Sequence, residues 1–162
     1  MADFMQQVVA GLASGSIYAA LALALVLIHR ATGIINFAQG EMATLSTYIA
    51  WTLTTNHGWG YWPAFAFTLA LSFVGGAAVH QTIIRPNEKG SVLRVVIVTI
   101  GLLILINGLV ILIWGGEVRA VQSPFPAGTT QIAGVAITTA DIGTIAVVLA
   151  TVAALWLSLI HI

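Results

Sequence analysis

Long apolar runs alternate with short polar segments along this 162-residue chain. Residues 7–28, 64–84, 95–114 and 142–160 carry no Asp, Glu, Lys or Arg, and residues 41–55 form a shorter run that is richer in threonine. At a rise of 1.5 Å per residue, residues 7–28 make a helix of about 33 Å, enough to cross a hydrocarbon core of about 30 Å. The pattern predicts about five membrane segments, with the second one broken or re-entrant.

Residues that disrupt helices separate these runs. Thr32-Gly33 is predicted to end the first helix, and Arg85-Pro86 to close the third. The pair Gly75-Gly76 lies inside the third run, where it can kink a helix or thin it for packing. Residues 115–140 form a long polar connector, and Asp141 is predicted to start the last helix because its charge suits a helix N-terminus.

Composition sets the class of protein. The chain is 59% hydrophobic and 6% charged, whereas soluble domains carry about 25% charged residues. We therefore expect an all-α, polytopic transmembrane helix bundle that contacts the lipid bilayer. The formal net charge of zero offers no basic face for nucleic acid. The sequence holds no cysteine, no histidine spacing typical of a metal site, and no phosphate-loop or hydrolase motif, so we expect no metal, no cofactor and no enzymatic activity.

The ends of the chain and its basic residues bear on organisation. We expect one domain over residues 1–162 that is incomplete at its C-terminus, because the sequence stops on apolar residues without a polar anchor. Arg85, Lys89 and Arg94 fall in one loop, which the positive-inside rule places in the cytoplasm. If residues 31–55 cross the membrane once, the N-terminus then lies outside.

The stretch ATGIINFAQGEMATLSTY, residues 31–48, is unusually polar for its surroundings. It holds Asn36, Gln39 and Glu41 within six positions. Glu41 could simply favour the N-terminal end of a second helix through the helix dipole. Alternatively, a helix interrupted within the membrane could present Asn36, Gln39 and Glu41 to a substrate path, as interrupted helices do in transporters. Composition leaves both interpretations open.

Two further features lie within the apolar runs. Asn107 is a lone amide in the fourth run; such a residue usually hydrogen-bonds a neighbouring helix, and otherwise belongs to a substrate path. Gly11, Gly15 and Ala19 recur at a spacing of four and form a smooth face for close helix packing, and Gly101 is a further candidate for such packing.

The beginning of the chain resembles LivH-type permease subunits of bacterial branched-chain amino acid ABC transporters. That family has a Gly-Leu-x-x-Gly-Ser-x-Tyr-Ala first helix, followed by a Gly-hydrophobic-hydrophobic-Asn-Phe-Ala-His-Gly-Glu motif. Gln39 stands where the family usually has His, and a glutamine does not titrate near neutral pH. The matching residues are Gly11, Gly15, Ser16, Tyr18, Ala19, Gly33, Asn36, Phe37, Ala38, Gly40 and Glu41.

A second region is similar to the family's basic Arg-Pro loop and the helix after it, where Thr99, Gly101 and Asn107 match. The resemblance implies an importer of branched-chain amino acids, with a second permease subunit, two cytoplasmic ATPase subunits and an extracytoplasmic substrate-binding protein. It also implies that this is roughly the N-terminal half of such a subunit, in the bacterial inner membrane. Related permeases for urea, short amides or other amino acids, and a membrane channel or scaffold protein outside the ABC class, stay as alternatives.

Overall fold

The computed structural model describes residues 2–121, 123–132 and 135–160, and it is almost entirely helical. The helices are α1 (Ala2–Thr32), α2 (Gln39–Thr55), α3 (Tyr61–Val79), α4 (Arg85–Glu88), α5 (Val92–Trp114) and α6 (Thr139–Ile160). A π-helical turn, His80–Ile84, joins α3 to α4 without a break. Two short strands, β1 (Thr129–Ile132) and β2 (Val135–Thr138), precede α6.

Four helical stretches within the described residues are long and apolar enough to cross a membrane. They are Asp3–Thr32, Tyr61–Glu88, Val92–Trp114 and Thr139–Leu157. The fifth long helix, α2, has 17 residues and therefore spans about 26 Å at 1.5 Å per residue. The expected all-helical membrane architecture is confirmed, and α2 is its shortest long helix.

The sequence predicted that the third span ends at Arg85-Pro86, but in the structure the helix continues past these residues. Helical structure continues through the π turn and α4 to Glu88, with the Arg85 amide donating to the His80 carbonyl. The wide turn ends at Ile84, two residues before Pro86, which has no amide hydrogen to give to the preceding turn, so the backbone adjusts locally instead of ending the helix. Gly75 and Gly76 lie within α3, which runs unbroken from Tyr61 to Val79.

The described residues form two compact units. One unit comprises residues 27–122, in which α2 packs against both α3 and α5. Its core lies where Ala38 meets α5, and it contains Ala38, Leu102, Ile106 and Val110. These α5 residues recur at spacings of four, which puts them on a single helical face.

The other unit comprises residues 1–26 and 123–162. Within it, β1 and β2 pair as an antiparallel hairpin, in the register Thr129 with Thr138 and Ile132 with Val135. The Gln6 side chain donates to the Ala136 carbonyl at 2.6 Å and accepts from the Ala136 amide at 2.8 Å, so it pairs with the strand as a neighbouring backbone would. The sequence predicted only a polar connector over residues 115–140, and the hairpin was missed.

The last helix starts as the sequence predicted. The Thr138 hydroxyl donates to Asp141 Oδ2 at 2.6 Å and accepts from the Asp141 amide at 3.1 Å. This reciprocal arrangement satisfies backbone donors at the first turn of α6.

We predict that Leu102→Ala lowers the free energy of unfolding of the chain in detergent by about 2–5 kcal/mol, because it leaves a cavity beside Ala38 in the core. Leu112→Ala is the matched control on the same helix, since Leu112 is 80% exposed. Denaturation of both variants, followed by helical circular dichroism, measures the difference. Equal losses for the two leucines would contradict this account of the core.

Candidate functional site

Residues 33–38 form a non-helical turn between α1 and α2. Gly33 ends α1 as predicted: its φ is 71°, a conformation that glycine adopts freely, and its amide donates to the His29 carbonyl at 2.7 Å. At the other end, the Ala38 amide donates to Asn36 Oδ1 at 3.0 Å, and the Gln39 amide to the Asn36 carbonyl at 3.2 Å. Asn36 therefore shapes the turn that leads into α2.

Asn36 is buried, with 7% of its surface exposed, and Ala38 is fully buried against α5. Asn36 Nδ2 lies 3.9 Å from the Met42 sulfur, which is a weak acceptor. Both ends of the Asn36 amide thus contact its own segment. The geometry gives Asn36 the role of holding the start of α2 in place.

Gln39 and Glu41 occupy the first turn of α2. The N-cap residue of this helix is Ala38, whose own side chain makes no capping hydrogen bond, and Glu41 favours the helix through its position near the N-terminus. Gln39 Oε1 and Glu41 Oε2 are both buried without a hydrogen-bond partner in the part of the chain that the structure describes. Buried oxygens of this kind normally have partners, so these two are unusual.

Glu41 lies on the face of α2 that packs toward α5. Glu41, Leu45, Tyr48 and Thr52 follow each other at spacings of four, three and four, which is one face of a helix. Leu45 and Tyr48 pack against the core, and the Trp114 indole donates to the Thr52 hydroxyl at 2.7 Å. A carboxylate on this inward face is costly in a membrane protein unless it has a function or a partner.

Asn107 lies on α5, the helix against which α2 packs. Within the described residues no hydrogen bond joins Asn107 to Asn36, Gln39 or Glu41. Of the four candidates, the structure thus groups three at the start of α2 and leaves Asn107 on the facing helix.

Gln39 lies on a different face of α2, together with Ser46 and Ala50 at spacings of seven and four. Ser46 and Ala50 line a groove of about 290 Å³ between α2 and α3. The Ser46 and Ser72 hydroxyls are 2.7 Å apart and link the two helices. The sequence showed that residues 41–55 are rich in threonine, but no role was predicted for their hydroxyl groups. The spacing of Thr68 and Ser72 on α3 is the signal that could have paired them.

His80 and Glu88 meet at the π turn, with His80 Nδ1 3.8 Å from Glu88 Oε1. Across the described ranges, no three His, Cys, Asp or Glu residues are grouped in a way that could hold a metal ion. His161 lies outside the described residues. The π turn itself is noteworthy because such turns recur at functional sites.

The small residues predicted for helix packing face open space here. A Cβ added at Gly11, Gly15 or Gly101 meets no described heavy atom within 4 Å beyond its own helix. Packing at these positions remains a prediction about surfaces that lie outside this structure.

A family model described as the permease component of the branched-chain amino acid transport system matches residues 7–161. The permease protein BraD of the high-affinity branched-chain amino acid transport system of Pseudomonas aeruginosa is 30% identical over 146 residues, which cover 83% of this chain and 48% of BraD. The corresponding permease protein LivH of Escherichia coli K12 is 27% identical over 130 residues, which cover 75% of this chain and 42% of LivH. This chain spans about half the length of these curated relatives. No solved structure gives a significant match.

We predict that Asn36→Ala speeds hydrogen exchange of the Ala38 amide by about tenfold or more, because a buried donor loses its acceptor at a cost of about 1–3 kcal/mol. Exchange of the peptide covering residues 33–42, followed by mass spectrometry, measures the change. Asn56→Ala is the control: Asn56 is exposed, and its side chain makes no hydrogen bond within the described part of the chain. Unchanged exchange in Asn36→Ala would remove the proposed role of this side chain.

Proposed function

Because this chain belongs to the family of branched-chain amino acid transport permease components, we propose that it is part of the membrane-spanning subunit of an ABC importer for branched-chain amino acids. The family match over residues 7–161 is the observation that carries the proposal. Four helices long and apolar enough to cross a membrane support a multi-pass location in the bacterial inner membrane.

The complete transporter pairs this subunit with a second permease subunit, so that the two enclose a path. Two cytoplasmic ATPase subunits drive opening and closing, and an extracytoplasmic binding protein delivers the amino acid. ATP hydrolysis belongs to the ATPase subunits. The open surface at Gly11 and Gly15 supports a close approach by another helix, because small residues let helices pack tightly in a membrane.

The start of α2 contributes to the solute path in this proposal. Three observations support that placement: the break between α1 and α2, the buried unpaired oxygens of Gln39 and Glu41, and the inward face of Glu41. Asn36 acts indirectly, by fixing where α2 begins. Gln39 contributes a hydrogen-bonding amide without a proton-transfer step, since an amide does not titrate.

The proposal is tested with the full-length subunit, co-expressed with its partner subunits in a host that lacks its own branched-chain uptake systems. We expect saturable, ATP-dependent uptake of labelled leucine and none of labelled urea or acetamide. If the transporter takes up urea or acetamide but not leucine, the proposed substrate class is wrong. Transport that persists without the ATPase subunits would contradict an ABC importer.

In the same assay, we expect Glu41→Gln to lower leucine uptake at least tenfold, because the substitution keeps the size of the side chain but removes a charge from the inward face of α2. Glu117→Gln is the matched control, since Glu117 is exposed in the connector after α5. Membrane levels of each variant are measured by immunoblot. Normal uptake by Glu41→Gln would contradict a role of Glu41 in the solute path and would leave it only a stabilising effect near the N-terminus of α2.

A further inference from the structure

The groove between α2 and α3 is large enough for a small solute. Its volume of about 290 Å³ is close to the lower limit of typical ligand sites, which hold about 300–1,000 Å³. Residues from one face of α3, including Ala64, Thr68 and Ser72, form one wall. Opposite them, Ser46 and Ala50 on α2 form the other.

Three hydroxyls of the α2 wall have already used their hydrogens. Ser46, Thr47 and Thr54 each donate to the backbone carbonyl four residues earlier in α2, at 2.8, 2.9 and 3.1 Å. A hydroxyl has one hydrogen to donate and two lone pairs that accept. The hydroxyl oxygens of this wall can therefore accept, although Ser46 already shares a 2.7 Å hydrogen bond with Ser72, and the wall suits a ligand that brings hydrogen-bond donors.

Thr68 on the opposite wall has an unmet hydrogen bond. The residue is 7% exposed, and its Oγ1 atom is buried without a partner among the residues that the structure describes. Leaving such a group unpaired costs about 1–3 kcal/mol. If the Thr68 side chain turned toward the groove, a polar group bound there would remove that cost, whereas a lipid acyl chain could not.

None of the described residues that line the groove is charged, and most of the exposed wall is carbon. Phe65, Leu69, Ala50 and Ala64 supply apolar surface for the body of a ligand. An ion with a net charge would lose its hydration here without gaining a counter-charge. The groove therefore favours a solute of zero net charge that combines an apolar body with donor groups.

We propose that the α2–α3 groove binds the transported solute, with the apolar side chain of a zwitterionic amino acid against Leu69 and Phe65, its amino group on the hydroxyl oxygens and its carboxylate at the open side of the groove, in contact with water. This inference rests on the proposed function, and it assigns that function a specificity site. Gln39 lies on the same face of α2 as the groove residues Ser46 and Ala50, which puts the start of α2 and the groove along one line.

The size of the groove is tested first, with the full-length subunit in its complete transporter reconstituted in proteoliposomes. Leu69→Ala enlarges the apolar wall, and we expect it to raise the ratio of phenylalanine uptake to leucine uptake by about tenfold. Leu71→Ala is the matched control, because Leu71 lies on the same helix, is exposed and does not line the groove. A ratio of two uptakes does not depend on the amount of folded protein.

The hydroxyl is tested second. Thr68→Val keeps the shape of the side chain and removes its oxygen, so we expect the KM for leucine to rise about five- to tenfold. Thr44→Val is the control for removal of a helical hydroxyl outside the groove, since Thr44 donates to its own helix at 3.1 Å and does not line the groove.

The outcomes separate this inference from the proposed function. If the wild-type transporter takes up leucine and the Leu69→Ala ratio stays at the wild-type value, the groove is not the specificity site, and the proposed function stands. If the wild-type transporter takes up neither amino acid, both fail. A tenfold change in the ratio for Leu69→Ala, with none for Leu71→Ala, supports the groove.

Discussion

The hydrogen bond from the Ala38 amide to the Asn36 side chain determines where α2 begins, and the arrangement around α2 depends on it. A buried break between two helices must satisfy its own backbone groups, because a buried amide or carbonyl has no water to pair with. Asn36 provides an acceptor in the turn, and the fully buried Ala38 then fits directly against α5. Successive residues of a helix are 100° apart, so this fixed start also sets the direction of every later side chain of α2.

Because of these directions, some polar residues of α2 face α5 and others face α3. Glu41 falls on the face that includes Tyr48 and Thr52, which pack on α5 and bond to Trp114. Gln39 falls on the face of Ser46 and Ala50, which line the groove with α3. Two residues that are two positions apart in the sequence thus lie on opposite sides of one helix. A substitution in the turn would disturb both sides together.

Hydrophobic pattern and glycine chemistry were enough to predict the helices and the end of α1 at Thr32, because both depend on local properties of the chain. The prediction that the third helix ends at Pro86 was wrong. The helix continues through a π turn, and the sequence gives no sign of that local backbone adjustment. The hairpin at Thr129–Thr138 was missed because two four-residue strands, partly recognised by Gln6, give little periodic signal. The polar residues Asn36, Gln39 and Glu41 were predicted as a group. To assign their separate roles, one must know which way each face of α2 points and that Ser46 pairs with Ser72. Both follow from helix packing and not from the sequence.

If solute moves along the groove face of α2, bound leucine should shield a cysteine on that face from chemical modification. The 162 residues contain no cysteine, so Ala50→Cys introduces a unique thiol into this part of the subunit, once any cysteine elsewhere in the full-length protein is replaced. Its rate of modification by a small methanethiosulfonate reagent is measured in the assembled transporter with and without leucine, beside Thr55→Cys on another face of α2. The account predicts that leucine slows modification at position 50 and leaves position 55 unchanged. Equal rates at position 50 with and without leucine would contradict it.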